Sequence, residues 1–168
     1  TSLPSARVPL AYFLTFSCYG HRVFGDTGGT VDRLHNRFWA QFLAESPRRA
    51  ATLRERMTQL PYELDEARRT CVLGAIRETC AHRGWRLLAA HVRENHGHVV
   101  VESGHKSERV LTDLKAYASR TLTRAGYDSP ERMRWARHGS TVYLWKPEDV
   151  RSAVIYVVEE QEIGRAHV

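Results

Sequence analysis

Cysteine, lysine and long apolar runs are all scarce in this chain, and each scarcity removes a class of protein. The three cysteines, Cys18, Cys71 and Cys80, are an odd number with no CxxC pair among them. That argues against a disulfide framework and against a zinc knuckle, and it fits a reduced, cytoplasmic setting. No stretch approaches the roughly 20 apolar residues that a membrane-spanning helix needs, and the opening TSLPSARVPL lacks the apolar core of a signal peptide. Lysine supplies only Lys106, Lys115 and Lys146, so arginine carries nearly all of the positive charge. What is present is the composition of a single globular domain: 168 residues, 42% hydrophobic and 26% charged. The net charge is +6 and the isoelectric point near 9.5. An arginine-rich basic domain usually meets an anionic partner, nucleic acid first among them.

The pattern alternates between strand and helix. AYFLTFSC at 11–18 reads as a strand, and the glycine-rich GHRVFGDTGGT that follows must be a loop. Residues 33–60 are arginine-rich and weakly periodic, a loop with some helix. From Leu64 to Arg83 an apolar stripe recurs at helical spacing until Gly84 ends it. WRLLAAHV at 85–92 and HGHVVVE at 96–102 read as strands whose three-residue connection predicts an antiparallel hairpin. A helix over 107–124, an irregular polar stretch over 127–139, a short strand at 140–145 and a final helix from Pro147 to about Gln161 complete the order. The expected fold is α+β: a ferredoxin-like sandwich, an antiparallel sheet with helices packed mainly on one face.

Two features carry chemistry. His96-Gly97-His98 lies inside an expected strand, where residues i and i+2 project to the same face, so both imidazoles can address one ion. In the last helix, Val150, Ala153, Val154 and Val157 form the expected buried stripe; Tyr156 falls off it, with Glu160 one turn on. A phenol with a pKa near 10 attacks poorly unless a base or a cation assists it. Tyr117 is the competing tyrosine, but its spacing from Leu114 and Thr121 points it at the packing face of its own helix. Lys115, Arg120 and Arg124 share that helix and are either phosphate contacts or a solvated face.

Taken together and in order, AYFLTFSCYG, GDTGGTVDR, NHGHVVV, LKAYASR, WARHGSTVYLW and AVIYVVEEQ resemble the single-tyrosine transposases of the IS200/IS605 type and their domesticated relatives linked to repetitive extragenic palindromes. The resemblance spans about residues 11–161. It implies a His-hydrophobic-His metal motif at His96 and His98, with Gly97 a departure expected to loosen the strand. It also implies a nucleophile at Tyr156 (alternatively Tyr117), and a third metal ligand at Glu160, or at Gln161 if the usual amide is kept. By the same resemblance the cofactor is Mg²⁺ or Mn²⁺, and the product of attack is a 5′-phosphotyrosine. The substrate is single-stranded DNA, a hairpin with single-stranded flanks, and the assembly a homodimer. Arg48, Arg49, Arg54 and Arg56 would grip the backbone, and Trp135 or Tyr143 would stack on bases. A domesticated nucleic-acid-binding or regulatory protein that kept the fold and lost cleavage is the alternative. Residues 1–161 form the expected domain. The last residues, EIGRAHV, read like one frame of a common sequencing adaptor up to its stop codon, with Glu162 only partly encoded by it, so 162–168 are expected to be an appended tail.

Overall fold

The computed structural model describes residues 7–21 and 57–166, with side chains as far as Glu160. Its sheet has four antiparallel strands in the order β2-β3-β1-β4. These are β1 (Ala11–Ser17), β2 (Arg86–Val92), β3 (His96–Glu102) and β4 (Ser140–Leu144). Three helices accompany it: α1 (Glu66–Arg83), α2 (Ser107–Arg124) and α3 (Pro147–Ala166). β1 and β2 run parallel with β3 between them, and β3 and β4 run parallel with β1 between them. Each pair is joined through a helix, which is the ferredoxin-like arrangement. The GDTGGT loop and Arg48, Arg49, Arg54 and Arg56 lie outside the described residues.

All seven residues of β1 are buried because both faces of this central strand are covered. Tyr12, Leu14 and Phe16 pack with Val99, Val101, Leu111, Leu114 and Ile76 under α1 and α2. Ala11 and Phe13 turn the other way and pack with Val100, Leu144, Ala153 and Val157 beneath α3. Two helices thus share one face and the third covers the opposite one. Each fully buried aliphatic side chain, such as Leu14, Val99 or Val157, contributes about 1.5–3 kcal/mol. α1 begins where the Asp65 side chain accepts the Arg68 backbone N–H at 2.9 Å and ends at Gly84, whose left-handed φ of 73° suits glycine.

One irregularity matters for the site. Leu87 pairs with Val101, but Ala89, not Leu88, pairs with Val100. The extra residue is a β-bulge, and Leu88 and Ala89 consequently both pack on the α3 side. Beyond the bulge His91 sits opposite His98. An unbroken ladder would have placed Ala90 there and turned His91 to the other face.

Candidate functional site

The floor of the site is the β2–β3 hairpin. His96 and His98 occupy alternate positions of a central strand, and their rings lie 5.0 Å apart. Across the hairpin, His91 stands opposite His98, and the Arg93 backbone N–H donates to His96 O at 2.7 Å. The turn between the strands is fixed from below by Cys18 N–H donating to Asn95 O and Leu64 N–H donating to Glu94 O. The expectation that Gly97 loosens the strand is corrected here. A Cβ at Gly97 would stand 2.3 Å from the Phe16 ring, and Phe16 is itself buried edge-on against Trp135. Glycine is what lets the Phe16 ring approach this strand so closely from the face opposite the histidines.

The roof is α3. Its inward residues are Ala153, Tyr156, Val157 and Glu160, a run of i, i+3, i+4 and i+7. Tyr156 is therefore on the buried stripe, only 6% exposed, and the expectation that it falls off that stripe is wrong. Val150 and Val154 are only partly buried beside it. The reason is that the sheet surface below is aromatic and imidazole rather than aliphatic: the Tyr156 ring packs 5.5 Å from the His98 ring and 5.8 Å from that of Phe13. One turn on, Glu160 drops its carboxylate between the histidines. Oε2 is 3.0 Å from His98 Nε2, and Oε1 is 3.7 Å from His96 Nε2 and 3.7 Å from the Arg93 guanidinium.

The electrostatics of this cluster centre on the Glu160 carboxylate. Burial alone would raise the Glu160 carboxyl; the two adjacent imidazoles outweigh it and hold the group well below the usual carboxylate range. Oε2 is nevertheless sealed from solvent without a well-aligned hydrogen bond. The outer nitrogens of both histidines are engaged behind the cluster. His96 Nδ1 faces Asn95 Oδ1 at 2.8 Å; an amide oxygen can only accept, so with this amide orientation Nδ1 carries a proton and Nε2 is the nitrogen left to face Glu160 or a cation. His98 Nδ1 lies 2.9 Å from the buried Thr15 hydroxyl, which can accept its proton in the same way. One ligand atom each from His96, His98 and Glu160 falls within 4.8 Å of the others. Metal bonds of about 2.1 Å set neighbouring donors roughly 3–3.5 Å apart, so the three fit a divalent ion after a small contraction. His91, Thr15, Asn95 and Arg93 complete the cluster and were not singled out from the sequence. His91 and Arg93 join through the bulge and Thr15 through strand register, which no local motif encodes, whereas Asn95 directly precedes His96 in the chain.

The other candidate residues lie elsewhere. Tyr117 is half-buried on α2, across the sheet from this cluster, with its ring 6.5 Å from that of His82 and beneath the Arg120 guanidinium at 4.5 Å. It is not in the core its spacing suggested. Lys115 Nζ donates to Ala136 O and His138 O, and burial pushes its pKa down to about 8. Trp135 Nε1 donates to Lys115 O and to Ser119. These two residues strap the 134–139 segment to α2 and are committed to that contact. Arg120 and Arg124 are exposed. The Gln161 side chain lies outside the described residues.

No family model matches the chain, and no curated protein matches it. Among solved structures, the chain is similar to a REP-associated tyrosine transposase bound to a REP hairpin, at 11% identity and a TM-score of 0.49 over 94% of this chain and 70% of that one. It is also similar to a candidate transposase from Deinococcus radiodurans, at 15% identity and a TM-score of 0.47 over 96% of this chain and 97% of that one.

Proposed function

We propose that the chain is a metal-dependent endonuclease and strand transferase for single-stranded DNA, with Tyr156 as its nucleophile. The observation that carries this reading is the placement of Tyr156: its ring packs on His98, one helical turn before Glu160, at the point where three metal-competent side chains converge. His96, His98 and Glu160 would hold a divalent cation, Mg²⁺ or Mn²⁺. Bound there, it would polarise the scissile phosphate and lower the barrier to phenolate attack.

The chain's own groups do the rest. Thr15 and Asn95 hold the imidazoles in the ligating tautomer. Tyr156 Oη attacks phosphorus in line; the Oη–P bond forms, the P–O3′ bond breaks, and the phenol proton is balanced by the one gained at the departing 3′-hydroxyl. A phosphodiester is exchanged for a phosphotyrosine ester, so a second 3′-hydroxyl can reverse the step and join new strands without ATP. The net charge of +6 suits a nucleic-acid substrate, here a hairpin with single-stranded flanks, and a homodimer is the expected assembly. His96→Ala and His98→Ala should each abolish covalent adduct formation with labelled single-stranded DNA in Mn²⁺ while leaving hairpin affinity within about threefold, because backbone contacts hold the DNA. Adduct formation that survives either substitution contradicts the metal assignment. A wild-type protein that binds the hairpin but never forms the adduct would be the binding protein that has lost cleavage.

A further inference from the structure

The hairpin presents two pairs of side chains to α3, His96-x-His98 on β3 and His91-x-Arg93 at the end of β2 and just beyond it, and only the first is used above. Arg93 is the one guanidinium the structure places at the cluster among the described residues. Its side chain is 31% exposed and reaches Glu160 Oε1 at 3.7 Å, the same oxygen that faces His96. His91 adds an imidazole whose buried Nε2 has no hydrogen-bond partner. A carboxylate that ligates a dication has less to offer an arginine, and a guanidinium beside a dication is repelled by it. An arginine at the open edge of a metal site, with five N–H donors in a planar fork, matches the two non-bridging oxygens of a phosphodiester.

We infer that Arg93 is a phosphate-binding residue of this site: it pairs with Glu160, as seen here, and transfers to a DNA phosphate once Glu160 ligates a cation. The inference rests on the function proposed above and adds to it a residue that couples cation binding to DNA binding. Its location favours this role. Arg93 follows directly on β2, its backbone is pinned to His96, and its neighbours Glu94 and Asn95 are fixed by Leu64 and Cys18, so the guanidinium swings from a rigid base.

The test uses two probes, Mn²⁺ alone, by calorimetry, and a 20-nucleotide poly-dT strand, whose affinity is compared in Mn²⁺ and in chelator. Arg93→Gln removes the cation that competes for Glu160, so Mn²⁺ should bind about tenfold more tightly than to wild type. The same variant should lose the Mn²⁺-dependent gain in poly-dT affinity. Arg93→Lys, which keeps the charge without the fork, should bind Mn²⁺ as wild type does and retain part of the gain. Unchanged or weaker Mn²⁺ binding by folded Arg93→Gln, or a gain that survives in it, overturns the inference while leaving the proposed function standing. A wild-type protein that takes up no Mn²⁺ overturns both.

Discussion

Buried polar residues under α3 face a narrow set of permitted states. Glu160 is 5% exposed and tolerates its burial only because His96, His98 and Arg93 surround it. His91 is the complementary case. Burial, reinforced by the positive charge of Arg93 and opposed by Glu160, pushes its pKa down to about 4. Unfolded, the same histidine takes up its proton near 6.5. The unfolded chain therefore binds more protons between those values, and stability that is intact above pH 6.5 is lost as the pH falls towards 4. With the residue only half-buried, the loss attributable to it is about 1–2 kcal/mol. Denaturant titrations at pH 7 and pH 4.5 should show His91→Gln losing less stability over that interval than wild type. An equal loss in both would mean that His91 is not held neutral by the fold.

At the scale of the element, the hairpin was legible and its consequences were not. The short connection between two apolar runs announces antiparallel pairing, and the i, i+2 spacing of His96 and His98 gives their common face. The bulge at Leu88 has no such signature: no glycine, proline or asparagine marks it, and it alone decides that His91 and Arg93 join the cluster. The phase of α3 was misread for a related reason. Hydrophobic periodicity assumes that the buried face is aliphatic, whereas this helix buries a phenol and a carboxylate against histidines, a match between polar groups on two elements. Gly97 was legible as an oddity and misread as a weakness. Gly97→Ala should bring a methyl group into the Phe16 ring, which Trp135 prevents from yielding. The expected cost is about 1–3 kcal/mol, measurable as a lowered denaturation midpoint, together with weaker Mn²⁺ binding as His96 and His98 shift. A variant as stable as wild type would show that the ring can move aside.

For the whole molecule, the sheet acts as a partition. One side carries α1, α2 and the larger apolar core; the other carries α3 and a smaller core that gives way to the histidines and Glu160. The ferredoxin-like order follows from the sequence pattern, since two successive strand–helix–strand units leave few alternatives. Which side receives the last helix does not follow from it, and that choice decides which tyrosine stands beside the histidines. Tyr156 stands on the histidine side with its ring on His98. Tyr117 stands on the far side, packed near His82 and Arg120, with the full thickness of the sheet between it and the cluster. A tyrosine-to-phenylalanine change deletes one hydroxyl and keeps the ring, so packing survives on either side. The most direct measurement is covalent capture of labelled single-stranded DNA, carrying palindromes, in Mn²⁺ by three proteins: wild type, Tyr156→Phe and Tyr117→Phe. Wild type and Tyr117→Phe should form the adduct and Tyr156→Phe should form none; an adduct that persists in Tyr156→Phe would contradict the assignment of Tyr156 as nucleophile.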